Sequence, residues 1–425
     1  MMRRFSLVFF PLFALFLLSG CSTTTNMVSG PSVDPTLSLS QKMEYYDIPK
    51  VSITYPTVYH DGNEWRDRVI ELISSAEDYV IISSFLASSS VELEELYDTI
   101  IQKAEEGVDI YFIVDGTGAF DMTETRFHLI PLKFLRDSGV HLLEYNPISA
   151  GRIISGTKIL FRDHRKFLIV DGKNLALGGM NLNYISIGAT DQHLQRDTMF
   201  EFASPRLCEI MLDSFVTWWN AESWEEVRRE DFSVDHTFGL DAPHYEAWYA
   251  DQYPLTKKLS GFFGSLLNEA EHSVKVLPFL PFFDQYLLDA FSSPAKRGVS
   301  VQMIIPFDSR VSNRKGIEYM AKDLLTMGID LRIENEGEET QRLLHEKLMI
   351  IDDRYVVFGS SNMNYRSFTL AYEVSLVVDS PELAKQMSEH FQDIYENSVP
   401  ITEEQADEWR TLDSWPRYAF GVIGG

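Results

Sequence analysis

One string occurs twice in this chain, and any fold must accommodate both copies. "HRKFLIVDG" starts at His164 and "HEKLMIIDD" at His345, so His164, Lys166 and Asp171 recur at the same spacing as His345, Lys347 and Asp352. Side chains alternate faces along a strand. Read as strands, both strings set a histidine and a lysine on one face, run through four apolar residues and end in an acid. A single His-x-Lys pair is ordinary on a solvated strand face. A pair that recurs with its surroundings marks an internal repeat.

The surroundings do recur. "YVIISSFL" (79–86) reads as a buried strand, "VELEELYDTIIQKAEE" as a helix, and "VDIYFIVD" after Gly107 as a second strand; a further helix and "GVHLLEYN" from Gly139 then lead to the His164 string. The second half repeats this order with "VKVLPFL" (274–280), a helix through "DQYLLDAFSS", "VSVQMIIP" after Gly298, a helix, and "GIDLRIEN" from Gly328, and closes with the His345 string. Strands alternating with helices predict an α/β class with right-handed crossovers and a largely parallel sheet covered on both faces. Two like halves are expected to pair about a pseudo-two-fold axis, with their boundary near 235–250.

After each string comes a second echo, "LALGGMNLNY" and "VVFGSSNMNYRS", each with two small residues, a spacer and an asparagine, Asn181 or Asn362. Gly178-Gly179 and Gly359-Ser360 would let backbone approach whatever the asparagine contacts. Asp197 in "QRDTMFEF" and Glu373 in "AYEVSLVV" follow. Converging about a two-fold axis, two lysines and two asparagines offer cationic and amide donors to phosphate oxygens. Two histidines can divide the roles of nucleophile and acid–base. A carboxylate on imidazole Nδ1 fixes the tautomer, and sequence order assigns Asp197 to His164 and Glu373 to His345. Asp171 and Asp352 lie at strand-to-turn junctions and read as structural. No His, Cys or carboxylate cluster with metal-ligand spacing appears, so neither metal nor other cofactor is expected.

With 63 acidic against 37 basic residues, the formal charge is −26. Nucleic-acid binding needs a basic surface, so DNA and RNA are not expected partners. Electrostatic docking on anionic lipid is disfavoured for the same reason. Arg3 and Arg4 precede an apolar run from Phe5 to Leu18 that ends in Leu18-Ser19-Gly20-Cys21. This run is short for a spanning helix and suits a signal peptide. Small residues before a cysteine resemble a bacterial lipobox, in which Cys21 is acylated and becomes the new N-terminus. Ser-, Thr- and Pro-rich sequence to Pro56 reads as a tether. Cys208 is then left without an intramolecular disulfide partner.

Both His-x-Lys-x4-Asp motifs, with "GGMN" and "GSSN", resemble the phospholipase D superfamily. "HEKLMIIDDRYVVFGSSNMNYRSFTLAYEVSLVV" is similar to the second catalytic motif of bacterial cardiolipin synthases, and the likeness extends over roughly residues 60 to 400. The resemblance implies two similar α/β/α sandwich domains with the active site at their interface and a metal-free reaction through a phosphohistidine, on His164. It further implies a phosphatidyltransferase acting on phospholipid. A phospholipase D hydrolase, a phosphodiesterase or nuclease, and a non-catalytic membrane-anchored scaffold are the alternatives. The expected divisions are signal peptide 1–20, tether 21–56, domains 57–240 and 241–400, and a tail 401–425. The expected molecule is a monomer in the bacterial envelope, held through Cys21 and facing the extracytoplasmic side.

Other residues carry two readings each. Trp218, Trp219 and Trp224 either line a lipid cleft or pack in a helix core, as aromatics usually do. "FFGSLL" and "PFLPFF" suit either lipid access or buried elements. Arg366 suits phosphate binding or a supporting ion pair, and His193 a loop.

Overall fold

The computed structural model describes residues 36–88, 90–117, 132–147, 160–188, 195–307, 311–334 and 343–424. Cys21, the signal segment and His193 lie outside them. Two sheets organise the chain. The first has seven strands in the order Thr57–Tyr59, Met199–Phe202, Asn174–Gly178, Phe167–Val170, Tyr79–Ser84, Asp109–Asp115, His141–Tyr145. The second runs Lys50–Thr54, His244–Gln252, Ala371–Asp379, Tyr355–Gly359, Lys347–Ile351, Ser273–Pro278, Ser300–Ile305, Asp330–Glu334, Ser398–Pro400, and the short strand Arg162–Asp163 joins it beside Ala371–Asp379.

The class is α/β, and the same strand order is built twice, but the sheets are mixed rather than largely parallel. Tyr79–Ser84, Asp109–Asp115 and His141–Tyr145 pair in parallel, whereas Phe167–Val170 is antiparallel to both its neighbours. The reason lies in the turn after each motif. Asp171 and Gly172 have φ of 50° and 60°, and Lys173 N–H bonds to Val170 C=O at 2.9 Å. Asp352 and Asp353 have φ of 54° and 49°, and Arg354 N–H bonds to Ile351 C=O at 3.0 Å. Each is a β-turn with two left-handed central residues inside a three-residue connection, between paired Val170 and Asn174 or paired Ile351 and Tyr355, and so short a hairpin can join only antiparallel strands.

Alternation along the strands divides the apolar residues between layers. Tyr79, Ile81, Phe167 and Ile169 face a core shared with Leu348, Ile350, Val356 and Phe358 of the other sheet. Val80, Ile82, Leu168 and Val170 face the outer helices Gly62–Ser74 and Glu94–Glu105. Met349 and Ile351 likewise face an outer core of the second half. Phe200 and Phe358 stack across the shared core with centroids 3.7 Å apart. Helices Pro205–Glu222 and Pro381–Glu396 contribute to the same core, each opened by a Ser-Pro pair whose serine, Ser204 or Ser380, accepts an N–H three residues on.

Two expected boundaries move. Within the expected tether, Leu39–Tyr45 is a helix and Lys50–Thr54 is an edge strand of the second sheet, paired with His244–Gln252. Apolar Leu39, Met43, Val51 and Ile53 are buried there, in segments too short to show periodicity. The expected tail forms helices Glu403–Trp409 and Trp415–Gly424 beside Val311–Thr326, with Arg410 on Asp323 at 2.5 Å and Tyr418 Oη donating to Phe283 C=O at 2.6 Å. Among the described residues no helix is long and apolar enough to cross a membrane.

Candidate active site

Both motif histidines lie just before their strands; Lys166 immediately precedes the strand that begins at Phe167, and Lys347 is the first residue of its own. Two short contacts between the halves fix them there. Arg162–Asp163 pairs in parallel with Ala371 and Tyr372, and His164 N–H donates to Tyr372 C=O at 3.0 Å. Arg196 bridges to Leu344, and His345 N–H donates to Arg196 C=O at 2.8 Å. Each histidine is therefore carried on the backbone of the opposite half, one residue from that half's acid.

This crossing corrects the carboxylate assignment. His164 Nδ1 lies 3.0 and 3.1 Å from the two oxygens of Glu373, and His345 Nδ1 lies 2.5 Å from Asp197 Oδ2. Sequence order had joined each acid to the histidine of its own half. The structure exchanges them, because Asp197, just before the strand Met199–Phe202, and Glu373, in the strand Ala371–Asp379, both border the other half at the seam. Each histidine donates Nδ1–H to its carboxylate, which leaves Nε2 with the lone pair.

The lysines complete each pair. Lys166 Nζ donates to His164 C=O at 2.7 Å, and Lys347 Nζ donates to His345 C=O. Lys347 Nζ also lies 2.9 Å from His345 Nδ1 and 3.7 Å from Asp197 Oδ2. Nδ1 cannot donate to Asp197 and accept from Lys347 at once; the shorter contact to a charged acceptor decides for Asp197. Burial alone would raise the Asp197 carboxyl, but Lys347 and His345 hold it below the usual range. Burial pushes Glu373 up to about 7, against the pull of Lys166. Burial and the neighbouring lysines lower both imidazoles, His345 to about 3 and His164 well below its ordinary value. Burial also lowers the Lys166 ammonium, to about 7. The resting imidazoles are thus neutral, as a nitrogen nucleophile requires.

Glu373 accepts from Ser360 Oγ at 2.5 Å and Ser367 Oγ at 2.6 Å. Ser360 thus does more than admit backbone. Its counterpart in the first half is Gly179, where a Cβ would lie 2.0 Å from Asp197 Oδ1. The shorter acid sits against glycine and the longer one against serine. Asn181 Oδ1 accepts Leu86 N–H at 3.1 Å, and the buried Asn362 Oδ1 has no hydrogen-bond partner. Asp171 and Asp352 are away from the imidazoles. Asp171 accepts the N–H groups of Glu77, Asp78 and Tyr79 at 2.9–3.0 Å, and Asp352 those of Glu271, His272 and Ser273 at 2.7–2.8 Å.

Sequence reasoning gave Phe85 no role and weighed Phe279 only as part of "PFLPFF". Phe85 lies 4.8 Å from the His164 ring with Lys166 Nζ 5.3 Å above it; Phe279 lies 4.1 Å from His345 with Lys347 Nζ at 4.9 Å. The signal was available, since a phenylalanine directly follows the matching strands Tyr79–Ser84 and Ser273–Pro278. The rest of "PFLPFF" and "FFGSLL" is core: Phe262, Phe263, Phe282 and Phe283 are buried. Trp218 and Trp219 are also core, Trp218 with the Arg165 guanidinium 4.8 Å over its ring, and Trp224 is fully exposed. The absence of a metal-ligand cluster needs amending as well. His60, Glu346 and His390 bring ligand atoms within 4.8 Å of one another, from segments too far apart for any spacing motif.

A family model described as "Cardiolipin synthase, PLD-like domain" matches residues 69–219 and 264–395. A probable cardiolipin synthase of Bacillus subtilis is 25% identical over 386 residues, covering 86% of this chain and 72% of that protein. A cardiolipin synthase of Staphylococcus aureus is 26% identical over 387 residues, covering 86% and 71%. A crystal structure of phosphatidylserine synthase from Haemophilus influenzae superposes with a TM-score of 0.67 over 90% of this chain and 95% of that one, at 13% identity, a likeness of fold. The family model spans most of both halves and both motif histidines, and the chain belongs to the cardiolipin synthase family of phospholipase D-like proteins.

Proposed function

We propose that this protein is a phospholipase D-type phosphatidyltransferase that exchanges the alcohol of a glycerophospholipid by way of a phosphohistidine. One observation carries the chemistry: two His–carboxylate pairs with fully buried carboxylates, each assembled from both halves, with a lysine beside each histidine. His164 Nε2 bonds to phosphorus as the bond to the leaving alcohol oxygen breaks, and His345 gives that oxygen a proton. In the second step His345 takes the proton of an incoming hydroxyl, whose oxygen bonds to phosphorus as the P–N bond breaks. A bound phosphodiester anion offsets Lys166 and Lys347, which raises the His345 imidazolium toward the range a general acid needs. Lys166, Lys347, Asn181 and Asn362 would hold the non-bridging oxygens.

The names of the relatives support a synthase over a hydrolase. Incubation with phosphatidylglycerol should yield cardiolipin, and added glycerol should lower phosphatidic acid in favour of phosphatidylglycerol, both read by mass spectrometry. Phosphatidic acid as sole product at high glycerol would replace the synthase reading with a phospholipase. The Leu18-Ser19-Gly20-Cys21 string supports acyl anchoring on the extracytoplasmic side of a bacterial membrane. On this reading Cys21→Ser moves the protein from the membrane fraction to the soluble one.

A further inference from the structure

Behind the second motif lies a cluster that the reaction does not use. Glu346 sits between His345 and Lys347 in the chain, but its side chain meets the helix Pro381–Glu396, where His390 Nε2 is 2.5 Å from Oε1. His60, between the strand Thr57–Tyr59 and the helix Gly62–Ser74, stacks on His390 with centroids 4.1 Å apart. Glu346 is fully buried and its Oε2 has no hydrogen-bond partner; neither does the buried Nδ1 of His60. A buried carboxylate with an orphaned oxygen is costly by itself. It becomes reasonable if a cation takes the lone pairs.

We propose that His60, Glu346 and His390 form a binding site for a divalent cation of the zinc class that clips the first half to the second behind the catalytic histidine. Two imidazoles and one carboxylate are a zinc donor set, with solvent or a fourth group completing the tetrahedron, whereas calcium and magnesium take mainly oxygen ligands. The ligand atoms already lie within 4.8 Å of one another. With metal bonds of about 2.0–2.2 Å the donors of a tetrahedral site stand roughly 3.4 Å apart, so binding opens the 2.5 Å His390–Glu346 contact and draws the wider edges in. The role is structural. The ligands come from an edge strand's end in the first half and from a strand's start and a helix in the second, and Phe279 N–H donates to Glu346 C=O at 2.9 Å. The clip thus holds the backbone that carries His345 and Phe279, without touching the reacting atoms.

Equilibrium dialysis of the purified full chain against Zn²⁺, with metal content measured by mass spectrometry, tests the site. One tightly held equivalent is expected, together with a rise in melting temperature. His60→Ala removes a ligand whose Nδ1 bonds to nothing, so the fold should survive and the affinity should fall by about 100-fold or more, beyond the 10–100-fold typical of losing a supporting partner. Glu346→Gln should do the same, and Co²⁺ in the wild type should give a tetrahedral absorption spectrum that both variants lose. If circular dichroism shows either variant misfolded, His390→Ala replaces it in the comparison. Zinc stoichiometry and affinity unchanged in folded variants would overturn the site and leave an adventitious ion only, and no zinc bound by the wild type would overturn it outright.

Discussion

Asp197 and Glu373 decide whether the two histidines are wired across the halves. Asp197 supports the proposed acid–base His345 and Glu373 the proposed nucleophile His164, so their amides should fail at different steps. A phosphodiester with a nitrophenol leaving group needs no protonation to depart. On that substrate Asp197→Asn should keep a burst of nitrophenol close to wild type, while Glu373→Gln should lose it; on phospholipid both should fall by about 10²–10⁴-fold. The reverse pattern would return each acid to its own half. Lys166 supplies a pH test. Its ammonium, lowered to about 7 by burial, is charged below that pH and neutral above it, and the neutral form grips a phosphodiester anion less well. Values of kcat/KM, which report the free enzyme, are expected to fall as pH rises through about 7. Glu373 titrates in the same range and interacts with Lys166, so the limb belongs to the pair. A bound anion restabilises the ammonium, so kcat should hold to higher pH. Coincident limbs for kcat and kcat/KM would exclude Lys166 as the group responsible.

The two hairpin turns show what an element can tell in advance and what it cannot. "VDGK" carries a standard turn pair, and the placement of Asp171 and Asp352 at junctions was legible from the acids that end each apolar run. That each carboxylate collects three N–H groups from the start of the first strand of its half, more than ninety residues upstream of Asp171 and about eighty upstream of Asp352, was not, because no local period marks a partner that distant. These contacts pin the motif strand to its neighbour at the end remote from the histidine. Asp171→Ala and Asp352→Ala should therefore each cost about 2–4 kcal/mol in urea unfolding by leaving N–H groups unsatisfied, while folded protein keeps kcat within about threefold. A loss of activity at unchanged stability would give these acids a chemical part instead.

Across the whole molecule, the repeat announced two halves and the two motif histidines and two motif lysines, and those were readable because each lies in a contiguous string. The seam was not readable. The pairings of Arg162–Asp163 with Ala371–Tyr372 and of Arg196 with Leu344 involve one or two residues each, too few to leave a pattern, yet they decide which acid meets which histidine. The same holds for Lys50–Thr54, an edge strand lent to the second sheet from before the first. All these contacts form within one chain, around a core both sheets share, so a single copy carries both His–carboxylate pairs. Mixing purified His164→Asn and His345→Asn proteins should then restore no transferase activity, because each chain retains one defective histidine in its own site. Activity after co-refolding, absent after simple mixing, would show halves exchanging between chains through an interface that opens on unfolding. Activity after simple mixing alone would mean that two copies build the site together, and the intramolecular crossing of His164 to Glu373 and His345 to Asp197 would no longer describe the working enzyme.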